Sequence, residues 1–332
     1  MNRKVKIVRD LLFVVGILVL IWMVYSVGVD TIWNNIKNTG WWFFAIVGIW
    51  AVVYFFNGLA FHVILRGGND DTEKVSLLRK IKLIITGFAI NSMTPIGLLG
   101  GEPYKIIELK QDLGIDQATS GVLLSTMMHF LAHFLFWMVS VPVFIFVVPV
   151  IPLTIKIILW AVVIGALLLI YWAFTVFRKG LINQAIGVAS QIPFVRKKVK
   201  LYKLEHAERI EVMDKLTTDL FTYRKRDFFI ALSLELTARF VSCIEIIFMA
   251  IPIGYHLSFF EAFIVAAFSS LFANILFFSP MQLGTREGGF GIAFSMLTIP
   301  LGVGVYVGLI TRIREMFWIS IGVILMRIKP AK

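Results

Sequence analysis

Cysteine is nearly missing from this sequence: 332 residues hold one, Cys243. It lies inside an apolar run, can form no internal disulfide, and is expected to pack. The signatures of soluble enzymes are missing too. There is no P-loop, no G-x-S-x-G elbow, no paired cysteine ligands and no dinucleotide-binding glycine fingerprint. No cofactor is expected, and an ATP-driven pump would need its ATPase from a partner. Long polar stretches are scarce: the one large insert, 178–227, is too small for a catalytic domain. Acidic residues are outnumbered, 20 against 32 Lys and Arg, for a net charge of +12. That excess does not imply nucleic acid. The basic residues fall in loops between apolar runs and at the termini, as topology signals and contacts to anionic headgroups do.

What is present is apolar. Hydrophobic residues make up 59% of the chain, and the mean hydropathy is +0.87. Several runs reach the roughly 18–20 residues that cross a hydrocarbon core at about 1.5 Å rise per residue. They are continuous rather than alternating, and backbone in lipid must bond to itself, so helices are expected. Spans read as 11–29, 41–65, 119–148, 153–177, 228–251 and 301–326. The length of the first argues for a retained helix over a signal peptide, although Ser26 and Gly28 offer small residues for a cut. Residues 30–40 read as a short loop, 66–80 as a basic loop, and 103–116 as a helical connector opened by Pro103. Within 178–227, Val199, Tyr202, His206, Ile210, Met213, Leu216 and Leu220 recur at helical steps and predict one amphipathic helix.

Two stretches are apolar enough for lipid yet carry residues that damage a plain spanning helix. One runs Phe88-Ala-Ile-Asn-Ser-Met-Thr-Pro-Ile-Gly-Leu-Leu-Gly-Gly-Glu102; the other runs Phe272-Ala-Asn-Ile-Leu-Phe-Phe-Ser-Pro-Met-Gln-Leu-Gly-Thr-Arg-Glu287. In each, a Phe-Ala pair precedes a proline (Pro95, Pro280), and a glutamate follows that proline by seven residues.

Charge decides how they sit. If both stretches crossed fully, the basic insert 178–227 would lie opposite the N-terminus and loop 66–80, against the positive-inside bias. If the first is a re-entrant hairpin from the cytosol and the second one from outside, every basic cluster and both termini fall in the cytosol. Segments 41–148 and 228–326 then repeat with every direction reversed, about 185 residues apart. The expected fold is an all-α integral membrane protein, one polytopic domain over 1–332. It has six full spans and two re-entrant broken helical hairpins in an inverted-topology repeat. In secondary transporters such corresponding breaks mark a binding site near the midplane. Glu102 and Glu287 are expected to face one cavity.

Ionisable groups in a span are expensive in lipid and face a cavity or a partner. Glu102 and Glu287 end the two breaks, where half-helix termini offer unpaired backbone groups. With Asn91, Pro95, Gly100, Gly101 and Pro280 they form the expected substrate site. Arg239, Arg286 and Arg312 are candidates for a phosphate, each with a second reading as the structural partner of Glu235, Glu245 or Glu315. His129 and His133 share a face; lacking a third ligand they make a poor metal site and read as the lining of a polar cavity.

The run Asn91-Ser-Met-Thr-Pro-Ile-Gly-Leu-Leu-Gly-Gly-Glu102 and the run Pro280-Met-Gln-Leu-Gly-Thr-Arg-Glu287 resemble the two signatures of the lysylphosphatidylglycerol synthase transmembrane-region family. The resemblance implies a flippase-like protein of a bacterial or archaeal cytoplasmic membrane. It would move a phospholipid, or an aminoacylated or glycosylated lipid-linked intermediate, between leaflets. Some members carry a fused aminoacyltransferase or glycosyltransferase domain. None is read in this chain, so transport without catalysis is expected, with a separate lipid-modifying enzyme as partner. Gln282 and Thr285 make the second signature more polar than a glycine-rich version. Two other functions stay open: an embedded enzyme acting on a lipid headgroup, and an ion-coupled transporter of a small solute.

Overall fold

The structure is a computed structural model. It describes residues 27–66, 75–93, 100–148, 151–177, 207–275 and 285–328, with Gly187 and scattered positions between 14 and 25. Among these residues every regular element is helical. The helices are α1 (Val29–Thr39), α2 (Trp42–Leu65), α3 (Leu77–Met93), α4 (Gly101–Leu113), α5 (Ile115–Val147) and α6 (Leu153–Phe177). They continue as α7 (Ala207–Thr222), α8 (Lys225–Ala250), α9 (Phe259–Ile275), α10 (Thr285–Met296) and α11 (Leu301–Arg327).

Among the described residues three helical stretches are long and apolar enough to cross a membrane: Trp42–Leu65, Ile115–Val147 and Lys225–Ile253. α11 has 27 residues, but Arg312, Arg314 and Glu315 sit at its middle and lower its hydropathy. Arg312 and Arg314 are buried, so their charge is turned away from the outer surface. The outside is apolar instead, with Phe44, Phe55, Phe134, Phe146 and Phe229 exposed. α6 packs on α5 and exposes Leu153, Ile157, Leu168 and Tyr171. A surface so apolar fits contact with hydrocarbon.

α2 and α8 lie along each other at the centre. α3 packs on α2, α4 and α11; α9 packs on α8, α10 and α5. α4 lies against α5 and α10 against α11. Two of the apolar cores among the described residues are the largest. One gathers Phe61, Leu65, Ile90, Leu109 and Val122 with the far end of α11 (Ile319, Val323, Met326). The other gathers Ile46, Ile246, Val265, Phe294, Val307 and Ile310.

Glycine permits the closest approaches. A Cβ on Gly101 would stand 2.4 Å from the Gly87 carbonyl oxygen, so α3 and α4 meet backbone to backbone. Gly304 meets Gly291 in the same way, joining α10 to α11. Gly114, at φ 78°, makes the one-residue corner between α4 and α5 in the left-handed region that glycine enters without a Cβ penalty.

The predicted loop over 30–40 is helical. α1 is short and polar, but Ile32 and Ile36 pack on the cores, and buried Thr39 hydrogen-bonds the Tyr306 hydroxyl at 2.7 Å. Those contacts supply the burial that local composition did not advertise. The connector begins two residues before Pro103, which occupies the third helical position of α4. The insert's amphipathic helix is described from Ala207. Val199, Tyr202 and His206 lie outside the described residues, as do Thr94, Pro95, Pro280 and Gln282.

Candidate functional site

The candidate residues fall into two charge networks. The first is built from α2, α4, α5 and α8. Asn91, three residues from the C-terminal end of α3, accepts a hydrogen bond from the Gly101 backbone N–H at 2.7 Å. The N-terminus of α4 is thereby tied to α3, with Gly100 just before it. An amide oxygen there takes one of the four backbone donors that a helix start leaves unsatisfied. Glu102 follows in the first turn of α4, where the helix dipole favours a carboxylate. It is buried, and Lys105, one turn on, lies 3.6 Å from its Oε1. Glu102 Oε2 is buried without a hydrogen-bond partner.

Lys105 is buried as well and lies within electrostatic reach of Glu235 on α8. Glu235, 2% exposed at its side chain, accepts from Asn57 Nδ2 of α2 and meets His129 Nδ1 of α5, both at 2.9 Å from its Oε2. The Arg239 guanidinium, one turn along α8, sits on His129 Nε2. His133 stands edge-on to His129 with ring centroids 5.1 Å apart, and Trp137 follows on the same face.

The second network joins α2, α8, α10 and α11. Arg312 binds Glu287 through two guanidinium nitrogens, and Arg286 binds Glu315. Arg314, with a side chain 2% exposed, donates to Glu245 at 3.0 Å and lies 3.7 Å from Glu315. Its guanidinium carbon stands 3.9 Å over the Trp50 ring, a cation–π contact, and Trp50 Nε1 donates to Glu245 at 2.6 Å. Three arginines thus meet three carboxylates, which is how buried charge is tolerated in a helical bundle.

A family model described as the lysylphosphatidylglycerol synthase TM region matches residues 10–322, a range that includes both networks. The chain belongs to this family. Comparison with curated proteins and with solved structures yields no match. The family is one of membrane proteins in lipid-related processes, in keeping with the three helical stretches long enough to span.

In this chain the structure brings His129 and Arg239 together around Glu235. It places Glu102 beside Lys105 and Glu287 beside Arg312. The two glutamates therefore stand in separate networks, linked through α2 and α8: Asn57 reaches Glu235, and Trp50 reaches Glu245. Arg239, Arg286 and Arg312 all have structural partners. Sequence reasoning missed Lys105, Asn57 and Trp50. The signal for Lys105 was its position one turn after Glu102; Asn57 was a lone amide in an apolar span, which needs a polar partner.

Proposed function

We propose that this protein is a lipid translocase that passes a phospholipid or lipid-linked intermediate between leaflets, with its headgroup handled by the two charge networks. The observation that carries the reading is the pair of charge networks: α4 and α10 each carry a glutamate in the first turn, Glu102 beside Lys105 and Glu287 beside Arg312. A lipid moves through a membrane with its tails in hydrocarbon and its headgroup in a polar path. Charged side chains turned inward supply such a path.

An inverted-topology repeat with six spans and two re-entrant hairpins accounts for this pairing. Helices α2 to α5 correspond in order to α8 to α11. Packing exchanges in the same way: α3 rests on α11, α9 on α5, and α2 on α8. Core residues Phe61, Leu65, Leu109, Ala118 and Val122 find counterparts about 185 positions on in Ile246, Ala250, Phe294, Val303 and Val307, as a repeat requires. The contact of His129 with Glu235 corresponds to that of Arg314 with Trp50.

The test is leaflet exchange of fluorescent phospholipids in reconstituted vesicles, read by reduction of outer-leaflet label. Wild type is expected to speed exchange, and Glu102→Gln and Glu287→Gln to slow it at least tenfold. Exchange no faster than in protein-free vesicles for phosphatidylglycerol, phosphatidylethanolamine and a polyprenyl-phosphate lipid would reject the reading. The His129–Glu235 pair favours one alternative, a headgroup enzyme with a carboxylate-oriented imidazole as base. That reading expects a chemically altered lipid by mass spectrometry, whereas a translocase only relocates it.

A further inference from the structure

His129 is held between opposite charges, and hydrogen-bond chemistry fixes its state. Arginine only donates. The Glu235 carboxylate accepts, so Nδ1 donates its proton to Glu235; Arg239 Nη2 stands 2.5 Å from Nε2 and 3.4 Å from Nδ1. A neutral imidazole tolerates a guanidinium at those distances, whereas an imidazolium would face it with like charge. Adding a proton at Nε2 removes the acceptor and sets an imidazolium against Arg239. The two states exclude each other: either His129 is neutral and Arg239 is clamped, or His129 is charged and Arg239 is released.

Net charge adds a constraint. The groups facing the imidazole are Glu235 and Arg239 from α8 and Lys105 from α4, itself paired with Glu102. Asn57 of α2 is neutral and shares the Glu235 oxygen. His133 of α5 is the ring neighbour. The other helices on α5 meet it elsewhere. α7 brings Leu220 and Phe221 against Leu124 and Met128, and α9 brings Ser270 to Trp137, its Glu261 being engaged with Ser258. α6 carries Lys156 in its first turn, beside the C-terminal end of α5. Two carboxylates and two cations therefore cancel around neutral His129. A proton added here leaves one uncompensated positive charge among buried groups, which is costly unless an anion arrives with it.

Resting on the translocase reading for the identity of the ligand, we infer that this network binds one proton at His129 Nε2 together with one phosphate-bearing anion at the released Arg239. His129 is the open member of the pair: its side chain is 42% exposed, whereas that of Glu235 is 2% exposed. The anion accepts the guanidinium hydrogen bonds that His129 gives up. Proton binding and headgroup binding are one event, so a pH difference across the membrane drives net lipid movement.

The test is proton uptake by the detergent-solubilised protein in weak buffer with a pH indicator, as dioctanoyl phosphatidylglycerol is added. Uptake of about one proton per lipid bound is expected, with affinity tightening about tenfold per unit as the pH falls from about 8 to about 6. Dioctanoyl phosphatidylcholine, whose headgroup is neutral overall, is expected to draw no proton. His129→Gln is expected to abolish uptake. If that variant does not fold, the wild-type pH slope and the phosphatidylcholine control carry the test alone. Phosphatidylglycerol binding without uptake, equal uptake with phosphatidylcholine, or unchanged uptake in a folded His129→Gln protein overturns the inference. So does failure of phosphatidylglycerol and of glycerol phosphate to bind. Uptake with phosphatidylglycerol alone makes the anion a lipid, and uptake also with glycerol phosphate makes it a soluble phosphate; both uphold the coupled site. Vesicle exchange assays separate the two readings, since uptake with no leaflet exchange rejects the translocase and leaves the proton–anion site standing.

Discussion

Arg312 reaches from the middle of α11 to both carboxylate oxygens of Glu287 in the first turn of α10. Gly308, one turn before Arg312, makes the approach possible, because a Cβ there would come within 2.9 Å of Glu287 Cγ. The arginine side chain is 5% exposed. Removing one partner strands a buried charge, whereas removing both does not. Glu287→Gln and Arg312→Gln are each expected to cost about 3–5 kcal/mol, and the double variant to recover most of that. A double-mutant cycle on thermal unfolding in detergent reads this directly; additive costs would show that the pair is not coupled.

Gly101 and Gly304 sit on the backbones of Gly87 and Gly291, with a Cβ distance of 2.4 Å in each case. Backbone cannot step aside as a flexible side chain can. Gly101→Ala and Gly304→Ala are each expected to lose about 1–3 kcal/mol, seen as a lower unfolding temperature. Gly165→Ala in α6, where nothing lies within 4 Å, is the control and is expected not to lower that temperature.

Asn91 caps α4 from another helix through its amide oxygen. Asn91→Asp keeps an acceptor and adds a charge that the helix start favours; Asn91→Leu keeps neither. The leucine variant is expected to cost about 1 kcal/mol of stability and to slow lipid exchange, and the aspartate variant to retain both. Equal loss of exchange in both variants would assign Asn91 to the substrate rather than to the helix start.

The proposed re-entrant arrangement would put α4 on the cytosolic side and residues 252–258 outside. Since Cys243 is the only cysteine and is buried, single substitutions can be labelled against a silent background. In right-side-out vesicles, Ser258→Cys is expected to react with an impermeant maleimide, and Lys110→Cys only after permeabilisation. Both reacting from the same side would refute the inverted repeat.

The helical class was legible because it depends on composition: runs such as Trp42–Leu65 are apolar throughout. Charge partners were not legible. Spacing offers Arg312 to Glu315 and Arg239 to Glu235, each along one helix face. The fold instead joins Arg312 to Glu287 and Arg314 to Glu245, and slides His129 between Arg239 and Glu235. Such choices are settled by how helices distant in sequence pack. α1 escaped notice for the same reason: its buried end is fixed by Tyr306, 267 positions away.

α2 and α8 run side by side in opposite directions, with Asn57 on Glu235 at one level and Trp50 on Glu245 at another. Neither helix belongs to one network alone. The pair therefore joins the two networks. On the proposed reading, thermodynamic reciprocity would apply to two headgroup sites: whatever factor a ligand at Glu235 imposed on affinity at Glu245, a ligand at Glu245 would return in equal measure.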